Sequence, residues 1–402
     1  MKIAVVVHGR FHAFDLARAL LDRGHDVTLF TNYPRWAVKR FGFPGGRTRS
    51  FPVHGVLARV ADRMQGWTGF HPERFLNRTF GRWVAAQLHR ERWDVIHVWS
   101  GIAEEILTTQ KDRGSLNFLM RGSAHIRAQD AILAEEEGRT GMRLQRPGQW
   151  IQRREAREYE LAHRVVVLSR FAHESFVGEG VDPARLRLLA LGGNTQMFRP
   201  TRAAIEARCR RILKGDRLTV LYVGALSLQK GLWDAEAIVR RLATERFRFR
   251  FVGPVSAEAR SLARSLSRIA ELVPKQSERG LPSWYSSGDL FMFPTLQDGF
   301  AVVLAQAHAS GLPILATANC SGPDFVRDGE TGWILPIRSP EAFVERLRWC
   351  DENRPALAEI VRRSYTRGRV RDWNDVASDF EAMCLMEQSQ ACNRLQKCVV
   401  SA

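Results

Sequence analysis

Lys2-Ile3-Ala4-Val5-Val6-Val7-His8-Gly9 opens the chain with an apolar, β-branched run that stops at a glycine. A run apolar at successive positions predicts a strand buried on both faces, as in a parallel sheet covered by helices. Phe14-Asp15-Leu16-Ala17-Arg18-Ala19-Leu20-Leu21 follows with helical spacing and is closed by Gly24, and residues 27–31 read as the next strand. Strand, helix and strand within about 30 residues make a parallel βαβ unit. Further strands are expected at Val95–Trp99, Leu116–Met120 and 165–168, with helices near 73–91, 102–113, 126–137 and 148–162. The pattern is that of a doubly wound α/β domain.

After Phe198-Arg199-Pro200 the pattern starts again. Residues 201–217 are basic and helical in spacing. Strand, glycine-containing loop and helix then repeat: Leu218–Val223 into 230–243, Phe247–Val252 into 256–267, Leu290–Phe293 into 300–310, and 313–317 into 323–327. A second Rossmann-like domain is expected here. Residues 373–386 have helical periodicity, and 387–402 read as a loose tail.

A chain of 402 residues exceeds one ordinary core, in keeping with two domains. Apolar content of 45% and aromatic content of 9% exclude a disordered chain. No uncharged apolar run reaches about 18 residues, so no spanning helix is expected. The apolar stretch at the N-terminus is too short for a signal peptide, and a cytoplasmic protein is expected. Cysteines at 209, 320, 350, 384, 392 and 398 show no Cys-x-x-Cys pairing, so reduced thiols are expected rather than metal ligands or disulfides.

The net charge of +17 is unevenly placed, since residues 1–100 hold 16 Lys or Arg against 7 Asp or Glu. Between Arg35 and Trp83 the only acids are Asp62 and Glu73, while Trp36, Phe41, Phe43, Phe51, Trp67, Phe70, Phe75 and Phe80 are interleaved with basic residues. Rings and cations together suit an anionic membrane surface. The same composition suits nucleic acid, or a solvated basic face with no partner.

Residues 298–306, Asp-Gly-Phe-Ala-Val-Val-Leu-Ala-Gln, set an acid and an amide eight positions apart. If Gly299 to Val303 turn the chain into a helix beginning near Val302, backbone N–H groups collect at its N-terminus, where a diphosphate is favoured. The candidate contacts are Gly299, Phe300, Ala301 and Val302. Asp298 then stands beside whatever the phosphate carries, and Gln306 lies about one turn inside, where an amide can hydrogen-bond a ribose hydroxyl. Carboxylate, amides and polar hook together form a candidate nucleotide-sugar site.

The segment resembles the Glu-x7-Glu signature of glycosyltransferase family 4, the retaining sugar-nucleotide transferases, with Asp298 and Gln306 at the two glutamate positions. Asp298 keeps the charge on a shorter stem, whereas Gln306 keeps hydrogen bonding and loses the charge. Gly224-Ala225-Leu226-Ser227-Leu228-Gln229-Lys230-Gly231 resembles the family's Gly-Arg-Leu-x-x-x-Lys-Gly loop, whose cations clasp the donor diphosphate. Gly224 and Lys230 match it, and Ala225 stands where the Arg is usual. Arg121-Gly122-Ser123-Ala124-His125 follows a strand, and the resemblance implies His125 near the transferred sugar or its phosphate. Gly9-Arg10-Phe11-His12 resembles the acceptor-side loop, with Gly9, Arg10 and His12 as candidates. Gly253-Pro254, residues 274–295, Ser169-Arg170-Phe171 and residues 191–200, with Asn194 at a usual Asp, continue the resemblance in the family's order.

The resemblance implies the GT-B architecture: two Rossmann-like doubly wound domains facing across a cleft. An acceptor-side domain is expected over 1–200, a donor-side domain over 201–372, and a terminal helix over 373–402 that packs back on the first domain. The expected reaction is retaining sugar transfer from a nucleotide-diphosphate sugar to a hydroxyl of a glycan, glycolipid, lipopolysaccharide or exopolysaccharide precursor. Asp298 and His125 are the expected catalytic groups. No Asp-x-Asp motif occurs, so no metal or other cofactor is expected. An anionic membrane surface is the expected partner, with peripheral attachment to the inner face of the cell membrane, and nucleic acid is not. A non-catalytic binder of nucleotide sugar or nucleic acid, and an epimerase or phosphorylase of the same fold, are the rival readings.

Overall fold

The computed structural model describes the chain except residues 69–71, 194, 243–245, 369–370 and 401–402, and describes only the backbone of 61–68, 195 and 391–400. Asn194 and Phe70 therefore lie outside the described residues, and the side chains of Asp62 and Trp67 are not described.

The first sheet holds β1 (Lys2–Val7), β2 (Asp26–Thr31), β3 (Thr48–Ser50), β4 (Val95–Trp99), β5 (Leu116–Met120), β6 (Arg164–Val167) and β7 (Leu186–Leu188). Their order is β3-β2-β1-β4-β5-β6-β7, and every pairing is parallel. The alternation of β1 explains its two buried faces: Ile3, Val5 and Val7 enter one core while Ala4 and Val6 enter another. Helices cover both sides. The chain reverses direction of sheet growth between β1 and β4, and ligands of such sheets lie at the strand carboxyl ends near that switch.

The second sheet holds β8 (Leu218–Val223), β9 (Phe247–Val252), β10 (Glu271–Val273), β11 (Leu290–Phe293), β12 (Ile314–Thr317) and β13 (Gly332–Leu335), ordered β10-β9-β8-β11-β12-β13 and parallel throughout. Its core runs through Tyr222, Phe251, Phe291 and Phe293. The switch here falls between β8 and β11.

The last helix, Trp373–Val400, returns to the first domain. Val376, Ala377, Phe380, Met383 and Cys384 join the core beside β1 and β5. Glu381 pairs with Arg23, and Glu387 with Arg164 and Arg187. Helix continues through 387–400, so the expected tail is instead part of this element. Cys209, Cys320, Cys350 and Cys384 are free and buried.

Candidate functional site

Loops from both sheets enclose a cavity of about 1750 Å³ at the strand carboxyl ends. His8, Arg10 and His12 follow β1, Trp99 ends β4 and Gly101 follows it, and Arg121 to Ser123 follow β5. Glu278, Arg279, Phe300, Val302 and Gln306 come from the second domain, and Asp372 to Asn374 from the start of the last helix.

The turn after β1 is held from beneath. Gly9 takes φ +100°, its N–H donates to Asn32 Oδ1 at 2.9 Å, and Thr31 Oγ1 donates to its carbonyl. A side chain is disfavoured at that φ, which explains the glycine. Arg10 lies over the Phe41 ring at 4.0 Å and 3.8 Å from Asp15. His12 packs between Trp99 and Trp373, with ring centres 5.1 and 6.3 Å away. Burial lowers its pKa to about 4, so at neutral pH it is an uncharged imidazole. Its Nε2 and the Trp99 indole nitrogen have no protein partner among the described residues.

The loop after β5 is positioned by a buried network. Arg121 donates to Glu155 and Gln129, and Tyr159 donates to Glu155 at 2.6 Å. His125 does not line the cavity. Its ring is buried against Tyr159 and Phe176, and its Nδ1 accepts from Arg127 N as the N-cap of helix Ile126–Thr140. Burial, with the charges of Arg127 and Arg121, lowers its pKa to about 4. In this arrangement the loop presents Arg121, Gly122 and Ser123 to the cleft, with the His125 ring packed behind them.

In the second domain, off the cavity wall itself, Lys230 Nζ meets Asp298 Oδ2 at 2.6 Å, with both side chains about one-fifth exposed. Two close approaches build this corner. Gly224, at φ +150°, and Gly253 are stacked so tightly that a methyl on Gly253 would overlap the Gly224 carbonyl. A methyl on Gly299 would overlap the Gly122 carbonyl across the cleft. Ser123 Oγ adds a bond to Gln297 Oε1 at 2.9 Å. The loops carrying residues 122–123 and 297–299 are thus in direct contact.

Helix Val302–Ala309 starts with no side-chain cap. Its first N–H groups are aimed outward with the positive end of the dipole. The Ala301 N–H is already bound by Ser321 Oγ at 3.2 Å, and the Phe300 ring is buried in the core of the first domain. Of the expected cradle, Val302 and Phe300 line the cavity, whereas Gly224, Lys230, Asp298, Gly299 and Ala301 do not. Gln306 lines it as well. The Tyr285 hydroxyl donates to Gln306 Oε1 at 2.9 Å, leaving the NH2 end for other contacts.

Several lining residues were not anticipated. Trp373 had no motif around it, and only its place at the start of the returning helix brings it to His12. Arg279 lies just before helix Leu281–Ser287, in the stretch 274–295 that continues the family resemblance, without this side chain being singled out. Among the described residues no group of three or more His, Cys, Asp or Glu is arranged to hold a metal.

Comparison with known proteins gives two family matches: "Glycosyltransferase Family 4" over residues 10–196 and "Glycosyl transferases group 1" over residues 217–353. A D-inositol 3-phosphate glycosyltransferase of Streptomyces scabiei is 29% identical over 181 residues, 41% of each chain. A putative colanic acid biosynthesis glycosyltransferase, WcaL, of Salmonella typhimurium is 24% identical over 222 residues, 52% of this chain and 51% of that one. The matches thus span about half or less of these relatives. Among solved structures, sucrose-phosphate synthase of Thermosynechococcus elongatus superposes with a TM-score of 0.69 at 19% identity, covering 97% of this chain and 99% of that one. Anabaena Alr3699/HepE in complex with UDP-glucose gives 0.66 at 14% identity, covering 97% and 100%. The architecture shared with these glycosyltransferase structures is GT-B.

Proposed function

The chain belongs to the group 1, family 4 glycosyltransferases, and from that premise we propose that it transfers a sugar from a nucleotide-diphosphate donor to a hydroxyl acceptor with retention of configuration. The observation that carries the proposal is the Lys230–Asp298 pair beside the uncapped start of helix Val302–Ala309. Lys230 and the helix-end amides receive the diphosphate, and Gln306 takes a ribose hydroxyl. Asp298, released from Lys230, faces the sugar.

The bond from the anomeric carbon to the diphosphate oxygen breaks as the acceptor oxygen bonds to that carbon on the same face. The acceptor proton passes to the departing phosphate oxygen. Donors preorganised where charge develops supply most of the stabilisation in such a step. With Ala225 in place of a bidentate cation, Lys230 bears more of that role than in a two-cation site.

The acceptor is a glycan or glycolipid precursor, received on the His12 and Trp99 side and presented at an anionic membrane surface. UDP-glucose is bound in the Anabaena structure, and the donor base and sugar here are to be found by a thermal-shift screen of nucleotide sugars, since a bound donor raises the melting temperature. Asp298→Asn is expected to keep that rise and to lower turnover at least 100-fold. Full turnover in Asp298→Asn, together with an unchanged melting rise in Lys230→Ala, would overturn the proposal. Donor binding with no transfer or hydrolysis in the native protein would assign it a binding role instead.

A further inference from the structure

Two consecutive helices form one rim of the cavity, and their outer faces carry exposed apolar and charged groups. On helix Pro52–Thr68, Val53, Val56, Leu57 and Val60 are all exposed, at the spacing of a single helical face. His54 and Ala58, on the other side of the same turns, are buried, and Ala58 lines the cavity. Helix Glu73–Leu88 adds an exposed Phe75 in its first turn, while its Leu76 and Asn77 line the cavity from the inner side. Each helix therefore has one face on the cleft and another in solvent.

The second helix also carries Arg74, Arg78 and Arg82, four residues apart, a spacing at which like charges repel. They edge a groove of about 710 Å³ completed by Trp150, Arg154 and Arg157. The acids in that groove are already engaged: Glu105 accepts from Arg154, and Glu104 pairs with Arg157 at 3.0 Å. Arg78 reaches Glu105 only at 3.7 Å, and Arg74 and Arg82 form no ion pair among the described residues. A row of cations in which, among the described residues, only Arg78 has an ion pair, and an exposed apolar face on the preceding helix, fit one occupant best, a surface that offers phosphates and hydrocarbon together.

We propose that these two helices dock the protein on an anionic phospholipid bilayer. The Val53, Val56, Leu57 and Val60 face enters the headgroup boundary, and the arginine groove receives lipid phosphates. Because the same helices line the cavity, an acceptor carried on a lipid reaches the cleft without leaving the membrane. The assignment deepens the membrane-borne acceptor of the transferase reading and rests on it for that last step.

The test uses the full chain and sedimentation with vesicles at low salt, comparing pure phosphatidylcholine with three parts phosphatidylcholine to one of phosphatidylglycerol. The native protein is expected to favour the anionic vesicles about tenfold or more. Val56→Asp combined with Leu57→Asp is expected to lower partitioning about tenfold, and Arg78→Ala with Arg82→Ala by about fivefold per arginine. All variants are expected to keep the donor-induced rise in melting temperature. Equal partitioning of native protein and variants, or none by the native protein, overturns the proposal. Loss on removing the arginines but not on changing the apolar face would mean a soluble polyanion or acidic protein, and also overturns it. Intact vesicle binding in a protein that no nucleotide sugar stabilises would leave the docking surface standing and remove the transferase reading.

Discussion

Asp298 and Lys230 form an ion pair at 2.6 Å. The pair was legible as two separate motif positions 68 residues apart, because each sits in a strand–loop–helix context with its own signature. Their contact was not, since no local pattern says that two loops of one sheet touch. Gly299 is a sharper case. Sequence gave it a role in a phosphate turn, and the structure adds a steric one, since a methyl there overlaps the backbone of Gly122 and Ser123. Backbone cannot yield as a flexible side chain does, and overpacking costs about 1–3 kcal/mol. Gly299→Ala is therefore expected to lower the melting temperature by several degrees and to weaken donor binding, measured together by thermal shift with and without donor. An unchanged melting temperature would show that the two loops separate freely.

Among elements, the strands that the sequence reading missed have a common position. Thr48–Ser50, Leu186–Leu188, Glu271–Val273 and Gly332–Leu335 are the edges of their sheets. Edge strands are short and covered on fewer sides, so they lack the continuous apolar run that marks β1 or β8. Helix Pro52–Thr68 was missed for the opposite reason: its apolar residues face solvent as well as the core, which blurs the period. His125 shows how an element explains a residue. In sequence a histidine that caps a helix leaves no mark different from one that meets a ligand. His125→Ala is expected to cost about 1 kcal/mol and His125→Asn, which can also cap, less than half of that, by urea unfolding at pH 7. The folded pKa of about 4 lies below the unfolded value of 6.5. The unfolded chain then binds the proton first, so this residue's contribution is complete above pH 6.5 and is lost toward pH 4, at about 1.4 kcal/mol per pH unit. The native protein should lose more stability than His125→Asn between pH 7 and pH 5, and parallel losses would refute the assignment.

For the whole molecule, the cleft is spanned by more than the 122–299 contact. Helix Ile126–Thr140 begins at that contact and ends in a cluster of charges shared by both domains. Arg139 bridges Glu136 and Asp234, each at 2.7 Å, and Arg338 reaches Glu135 at 2.5 Å, Glu136 at 3.2 Å and the Ile132 carbonyl at 2.7 Å. Glu136 and Asp234 are almost fully buried. Arg139–Glu136 is local to one helix, but the pairs that cross between domains join residues 95 or more positions apart, so they were not legible in the sequence. Arg338 holds φ +56°, a conformation that costs a non-glycine residue of order 1 kcal/mol or more and is kept by the bonds its side chain makes. Removing one partner of a buried ion pair leaves the other uncompensated and costs about 3–5 kcal/mol, more than the pair itself contributes. In Arg338→Ala, Glu136 keeps both bonds from Arg139, so only part of that cost applies, and it falls on the closed arrangement because Arg338 joins the second domain to Glu135, Glu136 and Ile132 of the first. Arg338→Ala is thus expected to raise the radius of gyration in small-angle scattering and to split a single calorimetric unfolding transition into two. Arg338→Lys, which keeps charge but lacks the fork that spans Glu135, Glu136 and Ile132, should fall between. A native-like scattering curve for Arg338→Ala would mean that the 122–299 contact and the returning helix Trp373–Val400 hold the domains together unaided.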